Sequence, residues 1–206
     1  MYLEDNIQFF NTIVKIEDSL FKNTLTTSVN FAHTLMVDRG QSIDYYTKNR
    51  NASKPIDDTI MGKMGELFVA YFLTEYLNYP FILPDFTIYK SRKKDWSEDL
   101  RYSPINKDLL DFHVKTCNSF TKNYCGISWT FQKSNKNTKG GIDSIYNSVK
   151  NDIVFFIYME SYNKNEALIS FSAPFKKIQP MLKPPKKKEL FGLKECIYLN
   201  DIMSNY

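Results

Sequence analysis

Residues 109–116, Leu109-Leu110-Asp111-Phe112-His113-Val114-Lys115-Thr116 (LLDFHVKT), pose the question on which the fold turns: why does an otherwise apolar strand carry an acid, an imidazole and an ammonium? Successive side chains of an extended strand point to opposite faces. Leu110, Phe112 and Val114 therefore share one face, and Leu109, Asp111, His113 and Lys115 the other. The first face reads as core. The second is either a wet sheet surface or the lining of a site.

Working outward, a short strand is expected near Asp99–Tyr102, with a turn over Ser103–Lys107 leading back into the 109–116 strand. A turn centred near Ile105 puts Asp99 opposite residue 111 or 112, beside His113. Downstream, "YCGISWTFQK" (124–133) alternates Ile127, Trp129 and Phe131 with Ser128, Thr130 and Gln132. A Lys- and Asn-rich loop then enters a short helix. The continuous apolar run "DIVFFIYME" (152–160) marks a central, doubly covered strand. "EALISFSA" (166–173) answers it across the turn "SYNKN", and "ECIYL" (195–199) supplies a last short strand.

Upstream, "DDTIMGKMGELFVAYFLTEYLN" (57–78) reads as a helix with Asp57, Asp58 and Thr59 as candidate N-caps. "YPFILPDFTIY" (79–89) suggests a strand pair, or one strand broken at Pro84. The first 50 residues look helical: Ile7, Phe10, Ile13, Val14, Ile16 and Leu20 recur at roughly helical spacing, and a second piece (28–40) stops at Gly40. The expectation is an α/β domain with a mixed central β-sheet flanked by helices. One domain spans 1–206: a helical N-terminal elaboration over 1–50, a core over 56–160, and C-terminal strands with a basic loop over 161–206.

Composition narrows the chemistry. Hydrophobic residues make up 43% of the 206, enough for a core, while glycine (7 residues) is too scarce for phosphate loops. Neither the P-loop nor the dinucleotide-binding glycine pattern occurs, and no GxSxG elbow accompanies the two histidines, His33 and His113. Three cysteines without CxxC spacing read as reduced thiols rather than a zinc site. An acidic start, "MYLEDNIQFF", and the lack of a long apolar run point to a cytoplasmic chain that does not enter a membrane.

Glu66 attracts attention because its same-face helical neighbours Val69, Ala70 and Leu73 are apolar, while Lys63, Thr74, Glu75 and Asn78 mark a solvated side. A carboxylate on a buried face is costly unless paired, neutralised or bound to a metal. A place in the first helical turn, where the dipole welcomes an acid, is the structural alternative.

Taken together, "GKMGELFVAYFL", "SEDL", "DFHVKT" and "SWTFQ", spanning residues 62–132, resemble the PD-(D/E)xK nuclease superfamily, with its restriction-endonuclease-like fold. The resemblance matches Glu66 to the family's helix acid, Asp99 to its strand acid, His113 to the first position of the tripeptide and Lys115 to its lysine. Gln132 resembles the glutamine that some members place near the site. It implies a metal-dependent DNA endonuclease, of restriction, phage or mobile-element type, using Mg²⁺ or Mn²⁺. Carboxylates grip a hard cation, which polarises the phosphoryl oxygen and acidifies water, and a lysine stabilises the developing charge.

His113 stands where the family has Asp or Glu. Imidazole ligates Mn²⁺ more willingly than Mg²⁺. Three assignments stay open: His113 as a substitute ligand beside Asp99, Asp111 recruited from roughly 7 Å along the same face, or a silent site.

The expected partner is DNA. Arg92, Lys93 and Lys94 (with Lys90) precede the Asp99 strand; Lys133, Lys136 and Lys139 follow Gln132; Lys186 and Lys187 (with Lys183 and Lys188) lie among prolines. Such clusters suit phosphate contacts, which add affinity without sequence information. Cutting both strands is simplest in a homodimer. Two rivals remain: a hydrolytically silent nuclease fold that still binds DNA or a protein, and an interaction protein whose aromatic surplus (16%) marks an interface.

Overall fold

The computed structural model describes residues 3, 5–38, 54–87, 99–102, 110–133, 142–147 and 152–205. A five-stranded mixed sheet forms its centre, in the order β1-β6-β5-β3-β2. Its strands are β1 (Gln8–Lys15), β2 (Leu100–Tyr102), β3 (Leu110–Asn118), β5 (Ile153–Met159) and β6 (Glu166–Pro174). Strand β4 (Ser128–Gln132) pairs antiparallel with β7 (Lys194–Tyr198) in a separate two-stranded ribbon.

The apolar run of β5 is the middle strand, as its composition demands. It is buried along nearly its whole length, parallel to β3 on one side and antiparallel to β6 on the other. A β-bulge interrupts the β5–β6 register between Phe156 and Ile157, and the Ile157 carbonyl accepts a 2.8 Å hydrogen bond from Nε1 of the fully buried Trp129. Thus the β4–β7 ribbon is anchored onto one face of the main sheet.

The other face carries helices α1 (Asp18–Asp38) and α2 (Lys54–Leu77). Helix α2 ends at Asn78, whose φ of 57° is the left-handed conformation asparagine tolerates, and the Tyr79 amide closes the cap on the Leu73 carbonyl at 3.0 Å. Two apolar clusters result. Phe112, Ile153, Phe155 and Ile157 pack with Met64, Leu67, Phe68 and Phe72 of α2. Val154, Phe156 and Cys117 pack with Trp129, Phe131, Phe171 and Ile197 on the ribbon side. Short helices α3 (Ser119–Cys125), α4 (Phe175–Ile178) and α5 (Leu199–Asn205) complete the chain.

Three expectations need correction. Residues 8–15, expected as helix, form strand β1, an edge strand paired with β6. Along it buried and exposed positions alternate down to Val14, a period of two that the helical spacing of its apolar residues had concealed. Helix α2 begins at Lys54, so Asp57, Asp58 and Thr59 lie inside it rather than at its cap. Residues 79–87 form no strand: Pro80 and Pro84 cannot donate to a ladder. Gly40, the expected stop of the second helix, and the 103–107 turn lie outside the described residues.

Helix α2 touches the sheet at Gly65. A Cβ there would lie 2.3 Å from Thr116 Oγ1 and 3.0 Å from Ile157 Cδ1, whereas one at Gly62 would meet nothing within 4 Å. Alanine is favoured over glycine by about 1 kcal/mol inside a helix, so Gly62→Ala is expected to stabilise by up to that amount. Overpacking costs about 1–3 kcal/mol, so Gly65→Ala should fall below Gly62→Ala by roughly this margin. Urea melts of the two variants check it; equal stabilities would refute the close approach.

Candidate functional site

Strand β3 does what its alternation predicts. Phe112 and Val114 face α2, and Asp111, His113 and Lys115 face away from it. That second face is not wet. Asp111 and His113 are 8% and 6% exposed, and each polar group has a partner. Arg101 Nε donates to Asp111 Oδ1 at 2.8 Å across the β2–β3 pair. His113 Nε2 lies 3.1 Å from Asp152 Oδ2, at the entrance to β5. Lys115 Nζ donates to Asp143 Oδ2 at 2.8 Å and sits 5.0 Å from the centroid of Phe131.

Asp143 also accepts from the Gln132 backbone N–H at 2.9 Å and donates its own N–H to the Gln132 carbonyl. Lys115 and Gln132 are therefore brought together, through an aspartate that the sequence reading had not singled out. The Gln132 amide side chain turns elsewhere and donates to the Leu193 carbonyl at 3.1 Å.

Glu66 lies on the opposite side of β3. It is 6% exposed and sits in the middle of α2, not in its first turn. Lys63, expected on the solvated side, is also buried, and its ammonium donates to both Glu66 oxygens at 2.8 and 2.7 Å. The rings of Phe31 and Phe86 lie 5.6 and 6.0 Å from that ammonium. A buried carboxylate on an apolar helix face does need a cation, and the cation is one helical turn upstream.

Asp99 precedes the register pair Leu100–Phe112, so it stands opposite His113, one residue beyond the 111 or 112 that the hairpin geometry anticipated. Its carboxylate does not join His113. Asp99 Oδ2 accepts the Val114 amide at 2.6 Å, filling a ladder position that β2 leaves empty. Asp99 is close enough to Glu66 to act on it electrostatically. Burial first, then the Asp99 charge, raises the Glu66 carboxyl from 4.5 to about 8, against the opposing pull of Lys63.

The anticipated cluster thus divides. Glu66 and Asp99 meet on the α2 side, while His113, Lys115 and Asp111 occupy the ribbon side, each tied to another group. Among the described residues, no group of three or more His, Cys, Asp and Glu side chains is arranged to hold a metal ion. Mg²⁺ demands near-octahedral oxygen donors. Here both Glu66 oxygens hold Lys63 and one Asp99 oxygen holds a backbone amide, so the donors as arranged do not fit it.

Among the described residues, a cleft of about 350 Å³ lies between the start of α2, β3 beyond its pairing with β2, helix α3 and the β4–β7 ribbon. β2 covers β3 only at residues 110–112, and Val114, Lys115, Thr116 and Asn118 line the cleft where that cover stops. Lys54, Lys186, Lys187 and Lys194 join Lys115 in its walls, against a single acid, Asp58. Of the basic residues anticipated from sequence, Lys186 and Lys187 are thus at the cleft. Lys133 pairs with Glu195 on the ribbon. Arg92, Lys93, Lys94, Lys136 and Lys139 lie outside the described residues. Lys54 and Lys194 were missed because neither belongs to a cluster along the chain.

No protein-family model matches this chain, and neither a curated protein nor a solved structure is significantly similar to it.

Glu66 gives the site a pH signature. In the unfolded chain it titrates near 4.5, in the fold at about 8, so between these values the folded state holds the extra proton. Stability contributed by this group is full below about 4.5 and declines as pH rises through about 8. Glu66→Gln removes that decline. Between pH 5 and pH 8.5 the wild type is expected to lose stability relative to the variant by an amount on the order of a few kcal/mol. Paired urea melts at the two pH values check this; a constant difference would show that Glu66 is ionised throughout.

Proposed function

We propose that the protein binds nucleic acid in the lysine-lined cleft, on a restriction-endonuclease-like arrangement of helices and sheet. The single observation that carries this is the charge of the cleft: five lysines against one acid around a concavity of about 350 Å³, in a chain of net charge only +4. Basic charge gathered in a groove concentrates polyanions there. The element order adds support for the architecture. Helix α2 with Glu66, Asp99 before β2, His113 and Lys115 on β3, and Gln132 at the end of β4 follow one another as the resemblance requires.

In this reading Lys115 is a phosphate-binding residue held in place by Asp143, and His113 is a structural one held by Asp152. DNA is the expected polyanion. A homodimer is not needed for binding.

A second reading, metal-dependent hydrolysis of the bound strand, is favoured by one observation. The Asp99 and Asp85 charges both act on Glu66, and Asp99 holds the amide of Val114, a residue that lines the cleft; a metal there would have to displace Lys63 from Glu66.

Gel retardation of plasmid across a salt series tests the first reading. Binding at low salt is expected, with log affinity falling linearly against log salt. The Lys186→Ala/Lys187→Ala double variant should bind more weakly and with a slope shallower by about 1–2, near 0.9 per lost duplex phosphate contact. No retardation at low salt would overturn the proposal. The same plasmid incubated with Mg²⁺, Mn²⁺ or EDTA decides the second reading: metal-dependent nicking that disappears in Lys115→Ala or Glu66→Gln would establish hydrolysis, and intact plasmid throughout would remove it.

A further inference from the structure

Helix α3 departs from the rest of the molecule: none of its residues is buried. It is nevertheless well formed, capped by the Asn118 side chain, which accepts the Thr121 amide at 2.9 Å, and closed at Gly126, whose φ of 81° suits glycine. Phe120 and Tyr124, four residues apart, stand on one face of it at 57% and 70% exposure. Their rings are stacked, with centroids 5.9 Å apart and planes inclined by 26°. Both residues line the basic cleft. Two exposed aromatic rings contribute little to folding, so their stacked arrangement calls for another account.

Cations surround the pair. Lys187 Nζ lies 5.3 Å from the Tyr124 centroid and 6.0 Å from that of Phe120, and Lys54 Nζ lies 5.4 Å from Phe120. Lys186, next in the chain, donates to the Cys125 carbonyl at 2.7 Å and stands 5.4 Å from the Tyr198 ring. The chain thus presents flat apolar faces interleaved with ammonium groups along one wall of a groove.

We infer that the cleft takes single-stranded nucleic acid, with unpaired bases stacking on Phe120 and Tyr124 and the adjacent phosphates held by Lys54, Lys186 and Lys187. This rests on the nucleic-acid reading above and specifies its ligand. Base faces are available to an aromatic ring only where the strand is unpaired, and lysines beside such rings bind the backbone without regard to sequence. A volume of about 350 Å³ is that of a small-ligand pocket, so a base enters it only unpaired, while a duplex meets only the lysines at its mouth. A protein partner would also cover exposed rings, but the five lysines lining the same cleft favour an anionic chain over an ordinary apolar interface, which is depleted of lysine.

Fluorescence anisotropy tests this with two labelled probes at low salt: an oligothymidine of about 16 nucleotides, the upper end of common site sizes, and a duplex of the same length. The oligothymidine is expected to bind at least about ten-fold more tightly. Phe120→Ala and Tyr124→Ala should each weaken it by between about five-fold and about a hundred-fold, the range of a base–aromatic stack, and leave duplex binding unchanged. Phe120→Tyr and Tyr124→Phe keep the rings and should keep the affinity. Because Phe120 and Tyr124 are mostly exposed, thermal midpoints should match the wild type in all four variants. Equal affinity for the two probes, or alanine variants that bind oligothymidine as the wild type does, would overturn the inference while leaving the basic cleft as a nucleic-acid site. Binding of neither probe would overturn both.

Discussion

Strand β3 cannot be moved by one residue, and the rest of the molecule is arranged around that constraint. Its two faces serve two separate clusters: Phe112 and Val114 fill the space under α2, while Cys117 and the neighbouring Val154 and Phe156 of β5 meet the β4–β7 ribbon. A slip of one residue would put Asp111, His113 and Lys115 beneath α2 and leave their partners alone. The register is held on one side by the parallel ladder to β5 from Phe112 to Asn118, and on the other by Asp99, whose carboxylate takes the Val114 amide after β2 ends.

The cost of this arrangement appears in its charges. The charged groups of β3 are matched pairwise: Asp111 with Arg101, His113 with Asp152, Lys115 with Asp143. Beneath α2 the same accounting joins Lys63 to Glu66, with Phe31 and Phe86 lining the ammonium. Replacing such pairs by apolar residues of equal volume is often neutral, whereas removing one member leaves a charge stranded. Only Lys63–Glu66 and His113–Asp152 are buried on both sides, so only there does the loss of one member leave a buried polar group without its partner.

Local signals were legible in the sequence where one physical period acted alone. The apolar run of β5, the alternation of β3 and β4 and the long helix over α2 each follow from burial on a face or on two. Strand β1 was read as a helix because Ile7, Phe10, Ile13 and Val14 satisfy a helical template, although Ile13 is 68% exposed and only the pairing with β6 reveals the period of two. The ion pairs were illegible for a different reason. Asp143 and Asp152 reach β3 from 28 and 39 residues away, so nothing local marks them as partners. A lysine's charge suggests solvent, whereas Lys63 lies one helical turn before Glu66 and pairs with it inside the fold.

A short β2 has a consequence that ties the fold to the cleft. Had β2 continued antiparallel to β3 beyond the Leu100–Phe112 pair, it would have covered the edge at Val114–Asn118 and closed the groove. Among the described residues no strand pairs with this part of β3 on the side away from β5, and it is flanked by α2, α3, the ribbon and Pro185, Lys186 and Lys187. An exposed strand edge invites pairing with other chains, and lysines along it are a common defence. Here Lys115, Lys186, Lys187 and Lys194 can serve both ends: they discourage strand addition by another protein and attract a polyanion, whose backbone has no amide ladder to offer. On the nucleic-acid reading proposed above, the charge that protects the edge from a peptide is the same charge that favours a polyanion.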